Sequence, residues 1–245
     1  MNNYLSRIPP DWFMSSGKGA CVAICDIGID ITHPALRHVS EHAMFGGTRP
    51  SGHGTGVVSI IAGRPKTVAY RGLATAARVV AADIPFGTWS DYAFLCQALD
   101  WVKGQKPDVL NLSIAYANES AEIRGKLEEI ASNGTVIVSA HALHWKYPHQ
   151  YPFVVAVTCA EELTDDVDLV APGEFVVEDK EGKPVTLYGS SMASAFVSSV
   201  ATLARANDAK MGREQFLQMV SGSTPFTLRR MWPGAGREQV NLAFG

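Results

Sequence analysis

The strongest constraint on the fold is a repeating alternation of short apolar runs with longer segments of helical period. "ACVAICDIG" (20–28), "ARVVAADIP" (77–85), "PDVLNLSIA" (107–115), "TVIVSA" (135–140) and "FVVAVTCA" (153–160) are continuous apolar runs of strand length. Between or after them lie "GTGVVSIIAG" (54–63), "SDYAFLCQALDWVKGQ" (90–105), "SAEIRGKLEEIASNG" (120–134), the small-residue stretch "SSMASAFVSSVATLARAN" (190–207) and "GREQFLQMVSGS" (212–223). These read as helices. Ser90 is a candidate N-cap with Asp91 in the first turn, and Asn133-Gly134 marks a stop. Strands that are apolar at every position must be buried on both faces. The pattern therefore predicts an α/β chain of three layers, with a central, mostly parallel sheet flanked by helices. In such sheets ligands bind beyond the carboxyl ends of the strands. Asp26, Asn111 to Tyr116 and Ala140 to Leu143 fall at such ends, so their loops are expected to converge on one crevice.

Bulk properties narrow the function classes. The 245 residues, 47% of them hydrophobic, suffice for one large core or at most two small domains. A net charge of −3 offers no basic footprint for nucleic acid. No apolar run reaches the ~20 residues that span a bilayer, so no membrane partner is expected. The first 19 residues contain no apolar core of a secretory signal. Cys21, Cys25, Cys96 and Cys159 sit in apolar runs without metal-ligand spacing. They read as reduced, buried thiols of a cytoplasmic protein.

Three segments carry groups suited to nucleophilic catalysis. Asp26 ends the first strand in "CDIGIDITHP", His53 opens a helix in "SGHGTG", and Ser191 opens another in "YGSSMASA". A serine nucleophile needs a base within hydrogen-bond reach and an acid to orient that base. At a helix N-terminus it also gains free backbone N–H groups and the favourable end of the helix dipole. Taken singly, each residue reads equally as a cap or turn residue.

Taken together, the segments resemble the subtilisin-like serine proteases. "DIGIDITHP" is similar to that family's aspartate motif, "GHGTGVVSIIAG" to its histidine motif and "GSSMASAFVS" to its serine motif. "RGLATAARVVAADI", "VLNLSIA", "YPFVVAVTCA", "LVAPGE" and "PGAGREQVNLAFG" follow in the family's order. The resemblance implies an N-terminal arm over 1–16 and a subtilisin-like peptidase domain over 17–245. It implies Ser191 as nucleophile, His53 as general base and then acid, and Asp26 as the group orienting His53. Ser190 stands at the family's usual Thr position, and the Ser191 N–H would supply one oxyanion donor.

The departures from the family pattern bear on function. Where the family carries an Asn that donates to the oxyanion, this chain reads "SAHALHW", with Ala142 or Leu143 at that position. Losing one such donor costs ~10²–10³ in rate, a magnitude that itself comes from this family. His141 or His144 could supply an N–H instead, or His141 could simply pack the turn. Gly56 replaces a frequent His, Ile27 follows Asp26 in place of Ser or Thr, and Ala195 replaces Pro. "SIAY" replaces the family's S-L-G-G, so Ala115 and Tyr116 would line and narrow the primary specificity pocket. Ser113, Ile114 and Ala115 would offer backbone to an extended peptide, and Tyr92 and Leu95 match a more distal apolar subsite.

The loop "AGRPKTVAYRG" lacks the oxygen-rich insertion that forms a calcium site in secreted relatives, so no metal and no cofactor is expected. The absence of a visible propeptide fits a processing enzyme that removes a leader from a precursor peptide or protein, and the "HALHWKYPHQ" loop is a candidate contact for a protein partner. Two other readings remain at this stage. One is a catalytically weak pseudoprotease that binds peptides. The other is a transacylase or peptide ligase in which an amine resolves the acyl-enzyme.

Overall fold

The computed structural model describes residues 14–47, 52–66, 70–85, 92–159 and 166–221, the side chain of Ser221 excepted. Seven parallel strands form one sheet in the order β2-β3-β1-β4-β5-β6-β7. They are β1 (Cys21–Ile27), β2 (Glu41–Met44), β3 (Arg78–Ile84), β4 (Val109–Leu112), β5 (Val136–Ala140), β6 (Val154–Cys159) and β7 (Leu169–Ala171). A separate antiparallel hairpin pairs β8 (Glu174–Glu178) with β9 (Pro184–Tyr188). The helices are α1 (His53–Ala62), α2 (Ala93–Gly104), α3 (Ala121–Ser132), α4 (Ser190–Asn207) and α5 (Arg213–Ser221).

The expected three-layer α/β architecture is what the chain adopts. Alternate residues of each strand divide the interior between two faces. Val22 and Ile24 of β1 join Val57, Ile60 and Ile61 of α1, Ala193, Val197 and Ala201 of α4, and Phe216 of α5. Cys21, Ala23 and Cys25 face the other way, towards Leu95 and Leu99 of α2 and Ile123 and Leu127 of α3. All four cysteines are buried, and none forms a disulfide. Burial pushes the Cys21 and Cys96 thiols up to about 11 and raises that of Cys25 further, which leaves them as inert packing groups.

α3 follows Ser120, whose hydroxyl accepts the Ile123 N–H, and ends at Asn133, the stop expected from Asn133-Gly134. The expected Ser90 cap and Asp91, the "PGAGREQVNLAFG" segment and most of the N-terminal arm lie outside the described residues. The short strands β2, β7, β8 and β9 were not read from the sequence.

Connectivity sets the position of the crevice. From β1 the chain runs to β2 at the edge, returns to β3 beside β1, then crosses to β4 on the other side. The strand order thus reverses about β1, and its carboxyl end is a topological switch point. Asp26 lies there.

Candidate active site

Asp26 is fully buried near the carboxyl end of β1. Its Oδ1 accepts the Ile27 N–H at 2.6 Å and lies 2.6 Å from His53 Nδ1. Oδ2 is buried without a hydrogen-bond partner. A buried carboxylate is tolerated only if paired, and His53 supplies the pairing. Nδ1 therefore carries the proton towards Asp26, which leaves Nε2 as the basic nitrogen. Burial works to lower the His53 pKa, but the charge of Asp26 and its hydrogen bond outweigh it, so the pKa is raised.

The turn after Asp26 is held from the neighbouring strand. Asp83, paired in register with Asp26, accepts the Gly28 N–H at 2.8 Å. His33 of the same motif is buried. It accepts the Ala35 N–H at Nδ1 and lies with Nε2 3.1 Å from the Glu178 carbonyl oxygen, tying the loop to β8. The sequence reading assigned no role to Asp83 or to His33. An acid at the end of each of two parallel runs was the available signal.

His53 is the first residue of α1, and its side chain keeps 24% of its surface exposed. One turn on, a Cβ at Gly56 would overlap Leu187 Cδ1. The absence of a side chain at Gly56 thus lets Leu187 of β9 lie against α1. From Leu187 the chain passes Tyr188 and Gly189 into α4. Gly189 has φ 116° and ψ 177°, a backbone region that only glycine adopts readily. Ser190 and Ser191 follow as the first two residues of α4, both half-buried.

The start of α4 is fixed from two strands. Ser190 Oγ donates to the His141 carbonyl at 2.6 Å. Ser194 Oγ donates to the Ser191 carbonyl at 2.9 Å. Ser113 Oγ lies 3.1 Å from the same oxygen and 3.0 Å from Asn111 Oδ1. Asn111 is fully buried in β4, and its Nδ2 donates to Ser194 Oγ at 3.4 Å and Ser198 Oγ at 3.0 Å. Such a fully engaged polar network in low dielectric fixes geometry. An Asn inside the apolar run "VLNL", facing serines four apart on α4, was its sequence signal.

The two groups of expected substrate-binding residues come together. Tyr92, Leu95, Ile114, Ala115 and Tyr116 line one cleft of about 320 Å³ together with Ile27 and Ile84. The residues expected in a primary pocket and those expected in a distal subsite thus share one apolar depression. Tyr116 is buried, stacks on Tyr147 and tilts against Tyr92. Its N–H donates to the Tyr147 carbonyl at 2.8 Å and its carbonyl accepts the Tyr147 N–H at 3.1 Å. The backbone of Tyr116 is therefore already paired, and a peptide strand would have to add before it, at Ser113 to Ala115.

The oxyanion candidates divide. Leu143 and His144 are exposed, and Ala142 is half-buried. His141 is buried. Its N–H donates to the Val157 carbonyl at 2.7 Å, and its ring sits against His149.

The structure thus places an acid-held imidazole at the switch point of the sheet and a serine in the first turn of α4. The comparisons give the family. The model of the subtilase family matches residues 17–231, and the chain belongs to that family. It is 25% identical over 253 residues to Subtilisin NAT of Bacillus subtilis subsp. natto, covering 93% of this chain and 66% of the relative. It is 25% identical over 268 residues to the major intracellular serine protease of Bacillus subtilis strain 168, covering 94% of this chain and 84% of that one. M-protease of Shouchella clausii is 30% identical over 210 residues, 78% of this chain and 55% of the relative. The crystal structure of fervidolysin from Fervidobacterium pennivorans, described as a keratinolytic enzyme related to subtilisin, superposes with a TM-score of 0.65 at 21% identity, over 84% of this chain and 39% of that one. That likeness concerns the fold.

Proposed function

We propose that the chain is a serine endopeptidase that cleaves peptide bonds through an acyl-enzyme on Ser191. The observation that carries the reading is the 2.6 Å bond between buried Asp26 and His53 Nδ1, which leaves Nε2 as the base. In the proposed cycle His53 takes the Ser191 proton as Oγ attacks the peptide carbonyl. The oxyanion accepts the Ser191 N–H at the start of α4 as one donor. His53⁺ then gives its proton to the leaving amine. Water, deprotonated by His53, releases the acid product and regenerates the serine.

Specificity is proposed to be narrow, as in the processing of a leader or precursor peptide. What supports this is the apolar cleft beside Tyr92, Leu95 and Ala115, which suits an apolar side chain of an extended substrate. Paired backbone at Tyr116 also shortens the edge onto which a peptide can add. Four reduced, buried thiols and the likeness to an intracellular protease support a cytoplasmic setting.

The test is labelling with a fluorophosphonate, beside Ser191→Ala and His53→Ala, with the adduct located by peptide mass. An adduct on Ser191 that both substitutions abolish is the expected result. No adduct, under conditions that fully label an ordinary subtilase, would refute the proposal and favour a peptide-binding pseudoprotease. A joined or cyclic product in place of a hydrolysed one would identify a ligase.

A further inference from the structure

Beyond the end of β5, His141 and His149 of the β5–β6 connection come together with Asp166 of the β6–β7 connection. Their candidate donor atoms all lie within 4.8 Å of one another. His141 Nε2 is 3.5 Å from Asp166 Oδ1, and the two imidazoles meet edge to face with centroids 4.7 Å apart. His141 and His149 are only 4% and 3% exposed, and the Nδ1 atom of each is buried without a hydrogen-bond partner. Unpartnered buried nitrogens on two facing imidazoles are costly and rare in folded proteins. Asp166 is half-exposed and gives a path from solvent.

We propose that these three residues bind a divalent transition metal, with Zn²⁺ the best fit. Imidazole and carboxylate are the donors that suit this ion. Tetrahedral bonds of ~2.1 Å to nitrogen and oxygen put neighbouring donors ~3.4 Å apart, a spacing that donors lying within 4.8 Å of one another reach with small side-chain adjustments. Three protein donors leave a fourth position for water. The expectation of no metal came from searching the sequence for clustered oxygen ligands. A set of two His and one Asp drawn from positions 141, 149 and 166 has no such local signature.

The site has a mechanical consequence. The His141 carbonyl accepts the Ser190 hydroxyl, and the His141 N–H holds Val157 of β6. A metal on the His141 ring would clamp the β5 turn to the loop before β6 and to the segment entering β7. It would thereby fix the seat of the first turn of α4. This role as a clamp does not depend on Ser191 being a nucleophile.

The experiment uses the Ser191→Ala chain, which removes any self-cleavage, stripped with EDTA and titrated with Co²⁺. Visible d–d absorption from a single saturable site is expected, bleached by added Zn²⁺. Zn²⁺ should also raise the melting temperature. His149→Gln should weaken binding by more than the ~10–100-fold typical of losing an outer-shell partner of a metal. Asp166→Asn changes a half-exposed carboxylate and carries the test should His149→Gln fail to fold. It is expected to weaken binding at least tenfold. Absence of the absorption, or identical absorption and affinity in every folded variant, would overturn the proposal.

Discussion

Gly56→Ala tests how α1 and β9 are brought together. In the middle of a helix this change ordinarily stabilises by ~0.5–1 kcal/mol, because alanine loses less backbone freedom than glycine. Here the added Cβ overlaps Leu187 Cδ1, the far end of a half-exposed side chain that can turn aside, so the overpacking should cost about 1 kcal/mol, the low end of its usual range. The single variant is therefore expected to be destabilised by up to ~0.5 kcal/mol, the overpacking cost less the gain in propensity. Leu187→Ala alone should cost roughly 1–2 kcal/mol, less than a fully buried leucine because the side chain is half-exposed. With Leu187 truncated the obstacle is gone, so Gly56→Ala should change sign and stabilise by ~0.5–1 kcal/mol. The expected coupling in a double-mutant cycle is thus about 1 kcal/mol. Urea unfolding in the Ser191→Ala background measures it, with a constant m-value as the control on the unfolded state. Since Leu187 lies four residues before Ser191, a parallel cycle on the active chain should show kcat/KM falling in Gly56→Ala and recovering in the double variant. Equal destabilisation by Gly56→Ala in both backgrounds would refute the close approach as the reason for glycine.

Other perturbations probe the charges and donors of the site. Asp26→Asn should lower kcat/KM by ~10⁴, the loss seen for the equivalent change in an unrelated triad enzyme. It should also move the acid limb of the pH profile to lower pH, because burial then lowers the His53 pKa unopposed; an unmoved limb would sink this reading. With Asp26 present, activity is expected to fall as pH drops through the raised pKa of His53, since the base must be neutral. The stabilisation from the His53⁺–Asp26 pair has the opposite dependence. It is full below the unfolded-state pKa and is lost as pH rises through the folded one, which melting temperatures across pH 5–9 in Ser191→Ala would reveal. Ala142→Asn adds an amide donor at the β5 turn, and a rise in kcat of up to ~10² is expected if that turn borders the oxyanion; an unchanged kcat would place the oxyanion elsewhere. Iodoacetamide at pH 8 should leave Cys21 and Cys96 unmodified until the chain unfolds, because both thiols are buried and pushed up to about 11.

The long apolar runs made the five central strands legible, and capping residues bounded α3 to within a residue. Such signals are local and are not overruled by packing. β2 escaped because "EHAM" is a four-residue, partly exposed edge that owes its existence to pairing with β3. The β8–β9 hairpin escaped because its strands are short and half-exposed, and its turn is made by Asp179 accepting the Glu181 and Lys183 N–H groups. Asp26, His53 and Ser191 each stand in a motif that can be read without a structure. Asn111, Ser113 and Ser194 do not, since their meaning arises only when β4 meets α4. The His141, His149 and Asp166 cluster is likewise invisible in one dimension, because Asp166 joins the two histidines of the β5–β6 connection only across β6.

Sequence separation within the site has a consequence for how the chain is made. Asp26 and His53 are 27 residues apart, whereas α4 reaches back to Asn111 over 83 residues and to Asp108 over 97, through Arg205. α4 also lies against β1, β4, β5, β6 and β7. During synthesis, at ~5–20 residues per second, the carboxylate and imidazole can meet long before the segment carrying Ser191 leaves the ribosome. That segment must then dock at the centre of the molecule. Docking of α4 therefore reports that most of the sheet is already in place, and, on the mechanism proposed, a half-made chain has no serine positioned to attack its neighbours.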